Sequence, residues 1–265
     1  MVLEKRLRSD TLKIIAMVCM LIDHIGAGIL EQIYMTTADI DLAQKIRDID
    51  LVFRGVGRIA LPIFAYQIAV GMIYTKSKIK YIRRLAIFSV VSEIPFNLIA
   101  CRKLFDFSHQ NVMITLLLGA LAIWGIEWFS KESKWKRAIF NTTLVTVLSI
   151  VAELLHTDYG AKGVIIVAVI YIIKTESDYA NSADGITLMA AIFMVEVFVI
   201  TYLRTKNIHS TMSYCSSEIY ALFAFPIIYM DSGVRKGGNV LKWIGYWFYP
   251  AHLMIVYIVS RLLVG

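Results

Sequence analysis

LKIIAMVCMLIDHIGAG, Leu12 to Gly28, is the stretch that decides the fold. It is a long apolar run that carries two ionisable side chains next to each other, Asp23 and His24. A run of this length and composition reads as a helix crossing a lipid bilayer, where a charge costs several kcal/mol unless protein or water satisfies it. An ionisable pair at that depth is therefore a functional hypothesis from the outset, and the rest of the chain is read around it.

The flanking sequence repeats the apolar pattern. Hydrophobic residues make up 58% of the chain and charged residues only 18%, below the quarter or so of a soluble domain. A soluble fold of this length would need more polar surface to cover itself. The expected class is all-α: a polytopic transmembrane helical bundle of about nine spans. These are Leu12–Tyr34, Leu51–Tyr74, Tyr81–Ile99, Asn111–Phe129, Ala138–Leu155, Tyr159–Ile173, Gly185–Tyr202, Met212–Met230 and Val240–Val264. No linker, low-complexity tract or internal repeat interrupts them, so residues 1–265 read as a single domain. Met1 to Asp10 is charged, but the apolar run behind it is too long for a signal-peptide core and has no small-residue cleavage site. The first helix is expected to stay in the mature protein. Three cysteines, one of them (Cys19) inside the first span, argue against a disulfide framework; Cys101 and Cys215 both fall in connections read as outside, so a bridge between them is open but not expected.

Lysine and arginine alternate between the connections. The leader holds Lys5, Arg6, Arg8 and Lys13, the second connection Lys76, Lys78, Lys80, Arg83 and Arg84, and the fourth Lys131, Lys134, Lys136 and Arg137. The opposite connections are poorer in cations, which places the N-terminus in the cytoplasm and the C-terminus outside. The net charge of +7 has the same origin and is no nucleic-acid footprint. The longest outside loop, Thr36 to Asp50, alternates Asp39, Asp41, Asp48 and Asp50 with Ile40, Leu42, Ile46 and Ile49, a spacing that suits a short amphipathic helix at the membrane surface.

At a rise of about 1.5 Å per residue, His24 lies roughly 18 Å from the inner boundary. Other polar side chains share an outer-half depth on different spans: Glu93 and Asn97 around Pro95, Glu153, Glu196, and His252 in YPAHL. Arg54 and Arg58 share one face in RGVGR, where Gly55 and Gly57 allow close approach. His109, Gln110 and Asn111 open the fourth span, and His156, Asp158 and Tyr159 border the fifth and sixth. Several have a plain structural alternative. Glu153 and Glu196 also suit interhelical hydrogen bonding, Arg54 snorkelling, Asp158 a turn cap, and His109-Gln110-Asn111 either a helix cap or a pocket wall. For Asp23 and His24 neighbouring positions lie about 100° apart on the helix, so either both face a cavity or one faces lipid. An imidazole beside a carboxylate is suited to accepting a proton. No HxxxH pair signals a metal, and no glycine-rich phosphate loop or GxSxG elbow is present.

LKIIAMVCMLIDHIG, GRIALPIFAYQIAVGMIYT, RRLAIFSVVSEIPFN, HQNVMITLLLG, DYGAKGV and FYPAHL, in this order from Leu12 to about Leu253, resemble the TraX family. That family is named for the membrane enzyme that N-acetylates the N-terminus of pilin subunits in conjugation. A weaker likeness is to acyltransferase-3 and related transmembrane acyltransferases: Asp10-Thr11-Leu12-Lys13 followed by His24 is similar to their D-x-L-R segment and catalytic histidine, with Lys13 in place of arginine. Lysine keeps the charge and loses the bidentate fork.

The resemblance implies a multi-pass enzyme of the bacterial cytoplasmic (inner) membrane. It would move an acetyl or other acyl group from cytoplasmic acetyl-CoA, the cosubstrate, to an amine or hydroxyl of a peptide or small-molecule acceptor. His24 is then the general base, Asp23 either orients it or pairs with Arg58, and Arg58, Asn97, Asn111 or Tyr249 stabilises the oxyanion. Glu93, Asn97, His109, Gln110, Asn111, Asp158, Tyr159, Tyr249 and His252 would line the acceptor site. Lys13, Lys76, Lys78, Lys80, Arg83 and Arg84 would hold the CoA nucleotide, a role that the last five share with plain positive-inside topology. Direct attack and an acyl-histidine route are both open. The competing class is a proton- or cation-coupled secondary transporter using Asp23, Glu93 and Glu196. The missing internal repeat speaks against it.

Overall fold

The computed structural model describes residues 7–180 and 182–264; Lys5 and Arg6 of the basic leader lie outside them. Within the described residues the chain forms helices, turns and two isolated backbone bridges, with no strand. The helices in chain order are α1 (Ser9–Ile25), α2 (Glu31–Thr36), α3 (Ile40–Gly57), α4 (Ala60–Tyr74), α5 (Lys78–Ala100), α6 (Val112–Trp128), α7 (Lys134–Leu154), α8 (Gly160–Thr175), α9 (Ala183–Thr205), α10 (Ile208–Glu218), α11 (Ala224–Tyr229) and α12 (Gly238–Val264). Five helical stretches among them are long and apolar enough to cross a bilayer: Ser9–Thr36, Ile40–Tyr74, Lys134–Leu154, Ala183–Thr205 and Gly238–Val264. The all-α membrane class is thus borne out.

Two elements differ from the sequence reading. The segment read as an amphipathic surface helix and the start of the stretch read as the second span form one continuous helix, α3, and the break falls later, at Arg58 and Ile59. Gly55 and Gly57 weaken the helix there. The segment read as an eighth span is divided into α10, a 3₁₀ turn at Ile219–Phe223 and α11. Pro226 accounts for this, since in a continuous α-helix its ring would meet the carbonyl of Leu222.

The chain divides into two compact units, each assembled from separate segments. One comprises Met1–Ile63, Val91–Asp106 and Ser217–Gly265, the other Phe64–Val90 and Phe107–Ser216.

In the first unit α1 packs against α3 and α12. The buried face of α1 is Leu12, Ala16, Met17, Cys19 and Met20, a helical spacing, while α12 buries Tyr249, His252, Leu253 and Val256. At the base of the pair, the Asp10 carboxylate accepts hydrogen bonds from the backbone N–H groups of Lys236 and Gly237, at 2.5 and 2.7 Å. These lie just ahead of α12, where unsatisfied donors favour an anion. Further along, His24 meets His252 and Gly28 meets Val256. The offset is the same at both contacts, so α1 and α12 run parallel. The starting end of α1 and the finishing end of α12 therefore lie at opposite ends of the pair.

In the second unit α6, α7 and α8 pack mutually, and α9 lies against α8. Leu118, Ala152 and Val164 form a buried cluster with Ile114, Leu121, Leu148 and Val151 against it. Gly119 seats Val167 and Gly163 seats Thr115, so the α6 and α8 backbones approach closely. At the turn joining α6 to α7, Trp128 and Trp135 are exposed beside Lys131, Lys134, Lys136 and Arg137. Indole rings next to a cation cluster are the composition of a membrane–water boundary. The three cysteines are free thiols.

Candidate functional site

The first unit gathers the ionisable residues of Leu12–Gly28 with those of α3 and α12. His24 is half-buried on α1, and its Nδ1 lies 2.7 Å from Nε2 of His252, a residue only 4% exposed. The two ring centroids are 4.9 Å apart and tilted by 38°. His252 is fixed from its other side as well. Its Nδ1 lies 2.6 Å from the carbonyl oxygen of Phe248, one helical turn back, and its ring stacks on the Phe248 ring at 4.7 Å. Pro250, lacking an N–H, interrupts the α12 hydrogen-bond ladder in this turn. The Tyr249 ring borders both imidazoles, at 6.1 Å from His24 and 5.7 Å from His252. Among the described residues no hydrogen bond engages Nε2 of His24.

Asp23 turns to α3. Its Oδ1 forms an ion pair with Nη1 of Arg54 at 2.9 Å, and the same nitrogen donates to the Asp23 backbone oxygen at 3.3 Å. Arg58 pairs instead with Glu218 at 3.4 Å. The sequence reading offered Asp23 to His24 or to Arg58; the structure gives it to Arg54. The reason is steric. Gly57 packs directly on the Asp23 carboxyl and Gly26 on the side chains of Asp50, Phe53 and Arg54. Two missing Cβ atoms let α3 come close enough for the Arg54 guanidinium to wrap over Asp23. Directly after His24 the helix widens into a π-helical turn, Gly26–Leu30, a local distortion common at functional sites. Alanine at Gly57 would drive its methyl into the Asp23 carboxyl. Gly57→Ala is expected to destabilise the protein by about 1–3 kcal/mol, read as a lowered thermal midpoint in detergent, whereas Gly233→Ala, open to solvent, serves as a control that carries only its own backbone strain.

The remaining candidates fall in different places. Glu93 and Asn97 are on the part of α5 that belongs to the same unit, and the Asn97 carboxamide pairs with both backbone groups of Asp106 at 3.2 Å in the orientation that satisfies them. Asn97 thus closes the Cys101–Asp106 loop. Lys13 lies along α12, its aliphatic stem against Gly245.

The second unit brings His109–Asn111 together with His156–Tyr159. Gln110 N–H donates to the His156 carbonyl at 3.0 Å, and Asp158 N–H to the Gln110 carbonyl at 2.7 Å. The Thr115 hydroxyl donates to the carbonyl of Asp158. Tyr159 adopts a left-handed backbone, φ 66°, at the entry to α8. Asn111 is the N-cap of α6, its Oδ1 accepting from Met113 N–H at 2.9 Å while its Nδ2 donates to Ser89 O at 2.9 Å. Of the two readings of His109-Gln110-Asn111, the cap is the one observed at Asn111. Within the basic cluster, Lys78 is ion-paired with Glu127 and Arg84 lies over the Tyr81 ring at 5.6 Å, whereas Lys76, Lys80 and Arg83 are exposed. Burial pushes the Lys78 ammonium below its ordinary pKa. Among the described residues no three His, Cys, Asp or Glu side chains cluster as a metal ion would require.

Sequence reasoning missed Glu218 and the contact between the two histidines. Glu218 sits in the segment whose helical pattern is weakest. For His24 and His252 the available signal was their equal depth on the first and last spans.

The sequence model of a family described as TraX protein matches residues 8–260, nearly the whole chain. Neither the curated proteins nor the solved structures yield a match.

Proposed function

Because the chain belongs to the TraX family, we propose that it is a membrane-embedded acyltransferase that moves an acetyl group from cytoplasmic acetyl-CoA to an amine or hydroxyl of a peptide or small acceptor. The observation that carries this reading is the imidazole of His24, backed by His252 at 2.7 Å and, among the described residues, engaged at one ring nitrogen only. An imidazole presented in that way is a general base.

The acceptor, as neutral amine or alcohol, attacks the thioester carbonyl carbon and forms the new C–N or C–O bond. Its proton passes to Nε2 of His24. Collapse of the tetrahedral intermediate breaks the C–S bond, and the CoA thiolate takes the proton from the imidazolium, returning His24 to its starting state. The phenol of Tyr249, whose ring borders both imidazoles, is the candidate donor to the oxyanion. Arg54 and Arg58, each paired with a carboxylate, hold the site's frame. CoA's polyphosphate calls for cations, and Lys76, Lys80 and Arg83 are exposed while Lys78 and Arg84 are engaged. The topology in this reading is nine crossings of the bacterial inner membrane with the N-terminus in the cytoplasm. The parallel run of α1 and α12 supports an odd number of crossings, and the lysine and arginine bias supports the orientation.

The transporter reading retains one observation. Among the described residues, neither carboxylate oxygen of Glu196, 7% exposed in α9, has a hydrogen-bond partner. Purified protein in detergent, given acetyl-CoA and a panel of amines and alcohols, separates the two. Acceptor-dependent release of free thiol is expected; ion flux in liposomes with no thiol release from any acceptor would contradict the enzyme.

A further inference from the structure

The bonding around His252 assigns the protons of the whole pair. A backbone carbonyl only accepts hydrogen bonds, so the 2.6 Å contact between Phe248 O and Nδ1 of His252 requires a proton on that nitrogen. In a ring carrying one proton, Nε2 of His252 is then a bare acceptor. The 2.7 Å contact with His24 must accordingly be donated by Nδ1–H of His24. That leaves Nε2 of His24 with the free lone pair. The order is fixed from one end, at a carbonyl that the helix itself supplies.

We propose that His252 is a positioning residue: anchored on the Phe248 carbonyl and stacked on the Phe248 ring, it holds His24 as the Nδ1–H tautomer and aims the Nε2 lone pair at the acceptor's proton. This rests on the acyl-transfer reading of the same site and adds the tautomer, the partner and the atom. In this arrangement a histidine occupies the place that a carboxylate takes in serine-hydrolase triads. Asp23, adjacent in sequence and the evident candidate for that place, is held by Arg54 at 2.9 Å instead. The second imidazole also gives the incoming proton somewhere to go. When Nε2 of His24 takes the acceptor's proton, Nδ1–H can pass across the short bond to Nε2 of His252. The positive charge is then shared by two rings, one of them already donating to a carbonyl. The proton count is unchanged at each step, and the proton returns by the same path to the departing thiolate.

Two measurements on the full chain test this. In nanodiscs with ¹⁵N-labelled histidine, assigned by His24→Gln and His252→Gln, NMR should show a protonated Nδ1 and bare Nε2 on His24, with a scalar coupling across the hydrogen bond to Nε2 of His252. In the thiol-release assay, His252→Ala is expected to lower kcat about 100-fold while KM for acetyl-CoA stays within about twofold. His252→Gln, whose amide oxygen can accept from Nδ1–H, should recover about tenfold of that loss. A His24 ring protonated at Nε2, or no coupling between the rings, overturns the proposal whatever the assay shows. A coupling that is present while thiol release is indifferent to His24→Ala overturns the acyl-transfer reading, and with it the role of His252.

Discussion

Replacing His24 with alanine is expected to lower acceptor-dependent thiol release by about a thousandfold or more. A positioned general base contributes on the order of 10²–10⁴ in rate. The small residual rate would come from binding and orientation alone. The substitution is not expected to unfold the protein. His24 is half-buried, its hydrogen bond is to one side chain, and the packing of α1 on α12 continues through Gly28 and Val256. The variant should therefore elute as the wild type does and melt within a few degrees of it. Unchanged kcat in a folded variant would leave the site without a base.

The second large effect concerns stability. Glu218 has a side chain only 2% exposed, and Arg58, 19% exposed, lies 3.4 Å from it. Removing one member of a buried ion pair strands the other charge, at a cost of about 3–5 kcal/mol. Arg58→Met keeps the apolar stem and deletes the guanidinium, so it should destabilise the protein by about 3 kcal/mol. Adding Glu218→Gln in the same chain should return a large part of that, since no charge is then left without its counterpart. The non-additivity of the double variant is the signature of the pair. A melting profile of Arg58→Met that matches the wild type would show that the contact contributes nothing, and Arg58 would again be available as an oxyanion donor.

The helical class was legible in the sequence because hydropathy alone decides it: Leu12–Gly28 has no other way to satisfy its backbone in lipid than to form a helix. Most helix positions followed for the same reason. The breaks did not, because the turn at Arg58 and the 3₁₀ segment before Pro226 depend on local packing as well as composition. At the site, Asp23 and His24 stood out by their cost in an apolar run. Their partners were not legible. Which arginine takes Asp23 is decided by Gly26 and Gly57, two absences of a side chain whose consequence appears only when α3 is laid against α1. The backbone partners of Asn97 and Asn111 were not legible either, because a string of letters does not show them. One closes a loop on Asp106 and the other caps α6. The His24–His252 contact links positions 228 residues apart, and no local pattern records it.

Whether His24 acts on a thioester is tested most directly by a structure of the protein with a non-hydrolysable thioether analogue of acetyl-CoA. The carbonyl carbon of the analogue is expected near Nε2 of His24, with room between them for an acceptor atom at about 3–3.5 Å from that carbon. An analogue bound elsewhere, with the His24–His252 pair closed off from it by protein, would contradict the account.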